Sequence, residues 1–310
     1  MGRIGWVLGM LLILVGSSAR AAVTVSREAY HGWQGAYRLS NGTVDLVFVP
    51  QIGRIMRYGY VGERNVLWEN AALAGKMTVL SSSVVPDTDW QNYGGDKLWP
   101  SPQAKWGWPP DPASDSGPQT VSVMPNKHLF VTGLASLKYG VQFQREIALD
   151  PSGTGVVIRN VITNVWAKPV TWGIWEVAQT DNPDETKFPI SPKGGLPGEY
   201  KVFEDQKPAE GQVTVQDGQV TIHRRADHSG KIGTRSPEGW IESRWGELRF
   251  RISGKFPKRG DYPDGGYSQE IYTSDDPNRY VEMELLAPIR KFGSGKRENF
   301  VTHWSLTRTQ

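Results

Sequence analysis

Cysteine is absent from the 310-residue sequence. Without a thiol, the chain forms no disulfide bond, no thiolate metal site, no cysteine nucleophile and no lipid anchor through cysteine. The motifs of zinc proteases, serine-hydrolase elbows, phosphate-binding loops and dinucleotide-binding loops are missing too, and the five histidines lack metal-ligand spacing. The sequence therefore predicts neither a bound metal nor a cofactor.

Long apolar segments are missing as well, apart from one near the start of the chain. Arg3 precedes the apolar run Trp6 to Val15, and Ala19-Arg20-Ala21 has the small residues of a cleavage site. The run is short for a membrane span. We expect residues 1–21 to be a signal peptide cleaved before Ala22, with an uncleaved N-terminal anchor as the alternative. After cleavage we expect no stable membrane insertion, and the lack of disulfides favours a periplasmic or secreted location in a bacterial envelope.

A large excess of charge of either sign is also absent. The chain has 35 Lys and Arg residues against 32 Asp and Glu residues, a formal net charge of +3. Removing Arg3 and Arg20 with the signal peptide leaves 33 basic and 32 acidic residues, or +1. The basic residues are dispersed and form no run that could follow a phosphate backbone, so the sequence predicts no nucleic-acid partner.

Helical periodicity is not evident outside the signal segment. The 35 glycines and 21 prolines supply many turns, and the 11% aromatic content favours strands. The clearest local signal is Asp217-Gly218 between two alternating runs, which predicts a hairpin with a type I′ turn. We therefore predict an all-β fold, a large sandwich of two antiparallel sheets, forming a single domain over residues 22–310.

Aromatic residues are concentrated between Trp90 and Pro110, where four of the thirteen tryptophans lie. Gly94-Gly95 allows a tight turn, and four prolines hold the rest extended, so the stretch predicts a stiff loop and not a helix or a central strand. Aromatic faces beside amide, carboxylate and ammonium groups suit a sugar ring, which has an apolar face and a rim of hydroxyls. The candidate sugar-binding residues here are Trp90, Asp96, Lys97, Trp99, Gln103, Trp106 and Trp108.

Each of these residues also has a structural alternative. The tryptophans could plug one end of the sandwich, because indole rings bury large areas and anchor loops. Asp96 could pair with Lys97, and Gln103 could hold the loop together through its amide.

The strand from Val170 to Ala178 carries another candidate. Alternation places Trp172 and Glu176 on one face and Trp175 on the other. Glu176 is a candidate catalytic carboxylate if it faces inward, or a solvent-facing or arginine-paired residue if it does not. Trp172 would then line the same groove as Glu176, which makes it a candidate binding residue.

Two further carboxylates, Glu282 and Glu284, share one face of a later strand. Such a pair can carry out acid–base chemistry. The neighbouring Arg279 and Arg290 instead favour a surface ion-pair role.

Several stretches of the chain resemble the galactose mutarotase-like superfamily, whose fold is a large two-sheet supersandwich. The ten residues from Gly94 to Gln103, Gly-Gly-Asp-Lys-Leu-Trp-Pro-Ser-Pro-Gln, more narrowly resemble a set of uncharacterised secreted bacterial proteins of that superfamily. The resemblance covers most of residues 41–306 and implies a fold more than an activity, since the superfamily includes epimerases, hydrolase and lyase domains and binding proteins. The stretches that carry it are Gln51 to Gly59 with Asn65 to Asn70, Val161 to Glu176, Gly266 to Tyr272, and Arg279 to Pro288 with Trp304.

The resemblance also implies roles for particular residues. Mutarotases open and reclose a sugar ring with a glutamate base and a histidine acid that flank the sugar. By this likeness Glu270 is the base, and Tyr267 in the same stretch is a substrate contact. The segment that bears the family's histidine resembles Thr163 to Trp175, where no histidine stands, so Lys97, Glu176 or His128 could supply the acid.

Two functions follow from the sequence. One is an exported carbohydrate-binding protein that acts as an aldose epimerase-like enzyme, with Glu270 as general base. The other is a non-catalytic, periplasmic glycan-binding or envelope-interaction protein. The first function needs proton transfer at a bound sugar, whereas the second needs none, and an envelope-interaction protein needs no sugar ligand.

Overall fold

The structure is a computed structural model, and it describes residues 22–78, 80, 90–190 and 200–309. The expected signal peptide, residues 1–21, lies outside the described residues.

Nearly all regular structure in these residues is β-strand. The helical segments are short: the α-helical turn α1, Pro112–Asp115, and 3-10 turns at Ala71–Leu73, Gln103–Lys105 and Glu204–Gln206. Among the described helices, none has the length and apolar character needed to cross a membrane. In chain order the strands are β1 Thr24–Tyr30, β2 Trp33–Ser40, β3 Val44–Val49, β4 Arg54–Tyr60, β5 Asp96–Ser101, β6 Thr120–Val123, β7 Leu129–Ser136, β8 Val141–Leu149, β9 Val156–Asn164, β10 Val170–Asp181, β11 Glu185–Pro189, β12 Lys201–Val202, β13 Val213–Gln216, β14 Gln219–Ile222, β15 Gly230–Thr234, β16 Trp240–Trp245, β17 Leu248–Gly254, β18 Gln269–Thr273, β19 Tyr280–Leu286, β20 Arg290–Phe292 and β21 Arg297–Arg308.

The described strands form two antiparallel sheets. The eleven-stranded sheet has the order β1-β2-β3-β4-β5-β10-β19-β18-β15-β12, with β20 paired to β10. The ten-stranded sheet has the order β13-β14-β11-β16-β17-β21-β9-β8-β7-β6. The predicted all-β fold with two large antiparallel sheets is confirmed.

The hydrophobic core lies between the two sheets. Tyr58 of the eleven-stranded sheet places its ring centroid 5.5 Å from that of Phe250 and 5.7 Å from that of Trp304, both on the ten-stranded sheet. All three rings are buried, within a cluster that includes apolar residues of both sheets. Strand alternation produces this core because residues two apart fall on the same face. Each large side chain buried in this way contributes about 1.5–3 kcal/mol to stability.

The predicted hairpin is present between β13 and β14. Asp217 and Gly218 have φ angles of 51° and 71°, the positive values that a type I′ turn requires at both central positions. Gln216 pairs with Gln219 across the turn. The local sequence signal therefore set both the turn and the register of this hairpin.

The prediction of a loop from Trp90 to Pro110 is wrong for its middle part, because β5 lies between β4 and β10 in the eleven-stranded sheet. Pro100 is tolerated there because its carbonyl accepts a hydrogen bond from Trp106 Nε1 at 2.7 Å instead of pointing toward β10. In an antiparallel pair, the nitrogen and carbonyl of one residue point to the same side, so this proline removes no bond to β10. On the side of β5 away from β10, β4 pairs with β5 only at Ile55 and Asp96.

Candidate functional site

The outer face of the eleven-stranded sheet carries the candidate site. Five adjacent strands, β5, β10, β19, β18 and β15, each turn alternate side chains toward this face. The cross-strand pairs Trp175–Trp99, Val177–Lys97, Glu270–Glu284 and Lys231–Tyr272 show which residues share it.

A cavity of about 360 Å³ opens on this face, and we call it the central cavity. Its size falls within the range of small-molecule sites, about 300–1,000 Å³. Four indole rings, two tyrosines and four polar or charged side chains line it. These residues are Trp90, Trp99, Gln103, Trp108, Trp175, Gln206, Lys231, Tyr272, Tyr280 and Glu282.

The aromatic wall of the central cavity is a contiguous cluster of tryptophans. The ring centroid of Trp99 lies 6.3 Å from that of Trp90, 6.4 Å from that of Trp108 and 5.2 Å from that of Trp175. Trp90 and Trp108 are 4.8 Å apart and meet edge to face. Trp99 is 4% exposed whereas Trp108 is 52% exposed, so the wall extends from a buried ring to a solvent-exposed ring.

Asp115 of α1 fixes two of these indoles. Its Oδ1 accepts a hydrogen bond from Trp99 Nε1 at 2.8 Å, and its Oδ2 accepts one from Trp90 Nε1 at 3.3 Å. The buried Arg54 donates to the same carboxylate at 2.9 Å and compensates its charge. One buried ion pair therefore holds the aromatic wall in a single orientation.

The floor of the central cavity contains a lysine between two glutamates. Lys231 Nζ lies 2.8 Å from Glu270 Oε2 and 3.0 Å from Glu284 Oε2. Trp175 Nε1 also donates to Glu284 Oε2 at 3.0 Å, which joins the floor to the aromatic wall. Lys231 lines the cavity, and the two carboxylates lie fully buried against it.

Burial dominates the electrostatics of this floor. Burial raises the pKa of Glu284 to about 8, the charge of Lys231 lowers it and the charge of Glu270 raises it. The pKa of Glu270 is also raised, first by burial and against the opposing charge of Lys231. Burial alone would lower the pKa of Lys231, but the two carboxylates more than offset this and the net shift is upward. The floor is thus a cation held between two acids that retain protons more readily than exposed glutamates.

A second charged pair lies beside the aromatic wall. Lys97 Nζ is 3.0 Å from Glu282 Oε1 and 4.4 Å from the ring centroid of Trp99. Gln179 Nε2 donates to the same glutamate oxygen at 2.9 Å. Burial lowers the pKa of Lys97, and the charge of Glu282 opposes that shift. Glu282 and Glu284 therefore pair with lysines of the outer face, and the neighbouring arginines are not their partners.

Several predicted site residues lie together at this cavity. Those that line it are Trp90, Trp99, Gln103 and Trp108. Trp106 lies one ring further in, with its centroid 5.9 Å from that of Trp99. Lys97 and Glu270 lie on the same face in the layer below, and Tyr267 is beside Glu270, where burial and then that carboxylate raise its pKa.

Three predicted residues lie on the opposite face of the sheet and do not reach the central cavity. Glu176 is buried between the sheets, where it accepts hydrogen bonds from Thr302 Oγ1 at 2.7 Å and Trp304 Nε1 at 2.9 Å. Asp96 pairs with Arg145 in the same core, where burial raises its pKa to about 7, and it therefore does not pair with Lys97. Trp172 donates through Nε1 to the Tyr139 carbonyl at 3.1 Å. The structure therefore does not bring Glu176, Asp96 and Trp172 to the central cavity.

Sequence reasoning missed most of the residues from the second half of the chain. Lys231, Tyr272 and Tyr280 line the central cavity. Lys231 stands in an ordinary strand with no local motif, and Tyr272 and Tyr280 lie in stretches that carry the family resemblance but were assigned no role by it. The pair Glu282 and Glu284 did give a signal, two carboxylates at the spacing of one strand face. The sheet order, which local sequence does not reveal, determines which lysines meet them.

The acid and base groups at the central cavity do not include histidine. None of the residues that line it is a histidine, and His128 instead lies 2.9 Å from Glu146 on the ten-stranded sheet. Over the described ranges, which end at residue 309, no three histidine, aspartate or glutamate side chains are grouped as metal ligands. The functional groups that line the cavity are the amides of Gln103 and Gln206, the ammonium group of Lys231, the carboxylate of Glu282, and indole and phenol rings.

Solved structures with the same architecture define the class of the protein. A galactose mutarotase-related enzyme from Lactobacillus acidophilus has a TM-score of 0.56 and 9% identity, with 89% of this chain and 98% of that chain covered. A galactose mutarotase-like protein from Clostridium acetobutylicum has a TM-score of 0.56 and 10% identity, with 93% and 99% covered. The chain has the galactose mutarotase-like fold, and identities this low establish the fold alone.

The sequence family is narrower than the fold. Residues 36–307 match a domain of unknown function, DUF4380, and the chain belongs to that family. No curated protein matches the chain in sequence. A TPR-domain containing protein from Parabacteroides distasonis has a TM-score of 0.59 and 13% identity over 94% of this chain, and this chain spans 54% of that protein's length.

Proposed function

We propose that this protein binds carbohydrate in the central cavity. The observation that carries the proposal is the composition of that cavity, in which four indole rings and the polar heads of Gln103, Lys231 and Glu282 surround one space. An indole face packs against the apolar side of a pyranose ring, and fixed amide, ammonium and carboxylate groups match its hydroxyls. The mutarotase-like fold supports the same class of ligand by analogy.

The exposed indole of Trp108 gives the sharpest test of this proposal. In a glycan-array screen followed by calorimetric titration of the best sugar, we expect Trp108→Ala to weaken binding about twofold to tenfold, the free-energy range of one aromatic contact. Phe130→Ala is the matched control, because Phe130 is also an exposed aromatic side chain but lies on β7 of the other sheet. Wild-type affinity in Trp108→Ala, or no binding of any glycan by the wild type, would refute the proposal.

Acid–base catalysis of the aldose epimerase type is the second candidate function. The contact of Lys231 with both Glu270 and Glu284 favours it, since proton transfer needs groups that gain and lose protons near neutral pH. In such a reaction the anomeric hydroxyl loses a proton, the ring oxygen gains one, and the bond between the anomeric carbon and the ring oxygen breaks. The open-chain aldehyde then recloses on its other face.

Measured anomer interconversion separates the two functions. If the protein is catalytic, pure sugar anomers equilibrate faster with the wild type than without protein, and Glu270→Gln abolishes the increase. Glu210→Gln, at an exposed position away from the cavity, is the matched control. Binding without any rate increase supports the non-catalytic function. We rank that function first, because Glu270 is buried against Lys231 and does not itself line the cavity.

The proposal includes export of the chain to the bacterial periplasm or beyond. Its support is the sequence pattern of residues 1–21 and the absence of cysteine. Mass spectrometry of the protein from a periplasmic fraction should find an N-terminus at Ala22. An intact Met1 in a cytoplasmic fraction would refute export.

A further inference from the structure

A second and larger cavity lies near the central one. We call it the outer cavity; its volume is about 570 Å³, and its lining includes Arg64, Trp68, Asp181, Trp245 and Arg279. None of these residues belongs to the aromatic wall or the charged floor of the central cavity. This volume falls within the range of small-molecule sites, about 300–1,000 Å³.

The two cavities are joined by a pair of aromatic rings in tilted contact. Tyr280 lines the central cavity and Trp68 lines the outer cavity, and their ring centroids are 4.8 Å apart. Backbone hydrogen bonds fix Trp68 to β10 and to the residue before β5, since its N–H donates to the Gln179 carbonyl at 2.8 Å and its carbonyl accepts from Gly95 N–H at 2.8 Å. The distance from one cavity to the other is therefore set by the sheet and not by a flexible loop.

The outer cavity has the chemistry of a sugar site. Trp245 donates through Nε1 to the Asp181 carbonyl at 2.8 Å, which fixes its ring, and the guanidinium of Arg64 lies 5.0 Å from the ring centroid. Arg64 also pairs with the Asp181 carboxylate at 3.1 Å, so both groups stand in a defined place beside the indole. A ring plane next to a fixed cation and a fixed carboxylate repeats the pattern of the central cavity.

Arg279 supplies spare hydrogen-bonding capacity at this place. Its side chain is exposed and forms no ion pair or side-chain hydrogen bond with any other residue of the described ranges. A guanidinium has five N–H donors and no acceptor. It is therefore available to bind hydroxyl or carboxylate oxygens of a ligand without breaking an existing contact.

We propose that the outer cavity is a second sugar subsite, and that the ligand is an oligosaccharide whose chain crosses the Trp68–Tyr280 ring pair. This inference rests on the proposed carbohydrate-binding function and adds that one sugar ring does not fill the site. A ligand of several residues would contact the central cavity with one ring and the outer cavity with a ring further along the chain.

Oligosaccharides of increasing length test this second subsite. The probes are one- to six-residue oligomers of glucose, galactose, N-acetylglucosamine and galacturonate, titrated calorimetrically against the mature protein. For a series that binds, we expect the affinity of the wild type to rise with length beyond one residue. Arg279→Ala should weaken binding of the longer oligomers about threefold to tenfold, the value of one or two lost hydrogen bonds, and leave the monosaccharide affinity unchanged.

A matched variant and a central-cavity variant make the outcomes distinct. Arg159→Ala removes an exposed arginine from β9 of the other sheet and should bind every oligomer as the wild type does. Trp108→Ala should weaken binding at every length. Affinity that is independent of length, or equal length dependence in Arg279→Ala and the wild type, overturns the second subsite and leaves the proposed function intact. Absence of binding for every probe overturns both.

Discussion

At the scale of single residues, Lys231 organises the floor of the central cavity. It contacts Glu270 and Glu284 within 3.0 Å and is the member of the three that lines the cavity. Removing a charge from such a buried group leaves its partners uncompensated, which costs more than the loss of an exposed ion pair. The protonation states of Lys231 and its two glutamate partners should therefore affect the free energy of unfolding of the whole protein.

Substitution of Glu284 should change how stability depends on pH. Burial raises the pKa of Glu284 from an ordinary 4.5 to about 8, so the folded protein holds this proton more tightly than the unfolded chain. The resulting stabilisation is complete below about pH 4.5 and is lost as the pH rises through about 8. Relative to Glu284→Gln, the wild type should lose free energy of unfolding across this window, by at most about 1.4 kcal/mol per pH unit.

Urea unfolding at a series of pH values measures this difference. Glu210→Gln, at an exposed position, should follow the wild type. A constant difference between the wild type and Glu284→Gln from pH 5 to pH 9 would show that this carboxyl does not titrate in the folded state as the structure implies.

How well single residues were predicted depends on whether their role is local. The stretch from Trp90 to Trp108 combines aromatic and polar residues within a few positions, and Trp90, Trp99, Gln103 and Trp108 do line one cavity. Alternation correctly placed Glu176 and Trp175 on opposite faces of β10, but no local rule says which face is the interior. Lys231 had no signal, because its importance comes from β18 lying next to β15, with β19 on the other side of β18.

At the scale of elements, β5 connects the fold to the site. The glycines before it and the prolines in and after it predict a loop, yet it is a central strand with Lys97 and Trp99 on the cavity face. Gly94, just before it, has φ of 91°, and a Cβ at this position would lie 2.2 Å from the carbonyl oxygen of Trp68. The close approach of these two backbones determines where Trp68 stands between the two cavities.

Substitution of Gly94 should therefore be costly. We expect Gly94→Ala to lower the free energy of unfolding by at least about 2 kcal/mol, since it adds a backbone clash to the cost of a left-handed conformation. Gly218→Ala is the matched control, because Gly218 has φ of 71° but open space around its Cβ position, so only the conformational cost applies. Equal losses in the two variants, measured by urea unfolding, would contradict the importance of the Gly94–Trp68 contact.

At the scale of the whole molecule, the two sheets share one large hydrophobic cluster. All-β character, two large sheets and the β13–β14 hairpin could be predicted from turn residues and alternation. The order of strands could not, because pairs such as β5 with β10 join residues that are far apart in sequence. Local patterns define strands, whereas global packing chooses their neighbours.

The shared core makes a prediction about unfolding. If residues 22–310 form one domain, neither sheet can separate without exposing the apolar face of the other, so both should unfold together. Differential scanning calorimetry of the mature protein should show one transition whose calorimetric and van't Hoff enthalpies agree. Two separate transitions, or a calorimetric enthalpy well above the van't Hoff value, would mean that the sheets are independent units.

The Lys97–Glu282 contact has a consequence for how the protein matures. The two side chains are 3.0 Å apart on the outer face of the sheet, where Glu282 lines the central cavity, but 185 residues apart along the chain. Early and late segments must both have been synthesised and paired before the lining of the cavity is complete. Pairings between segments this far apart in sequence are slow to form. The recovery of ligand affinity during refolding would therefore report when the most distant strands have paired.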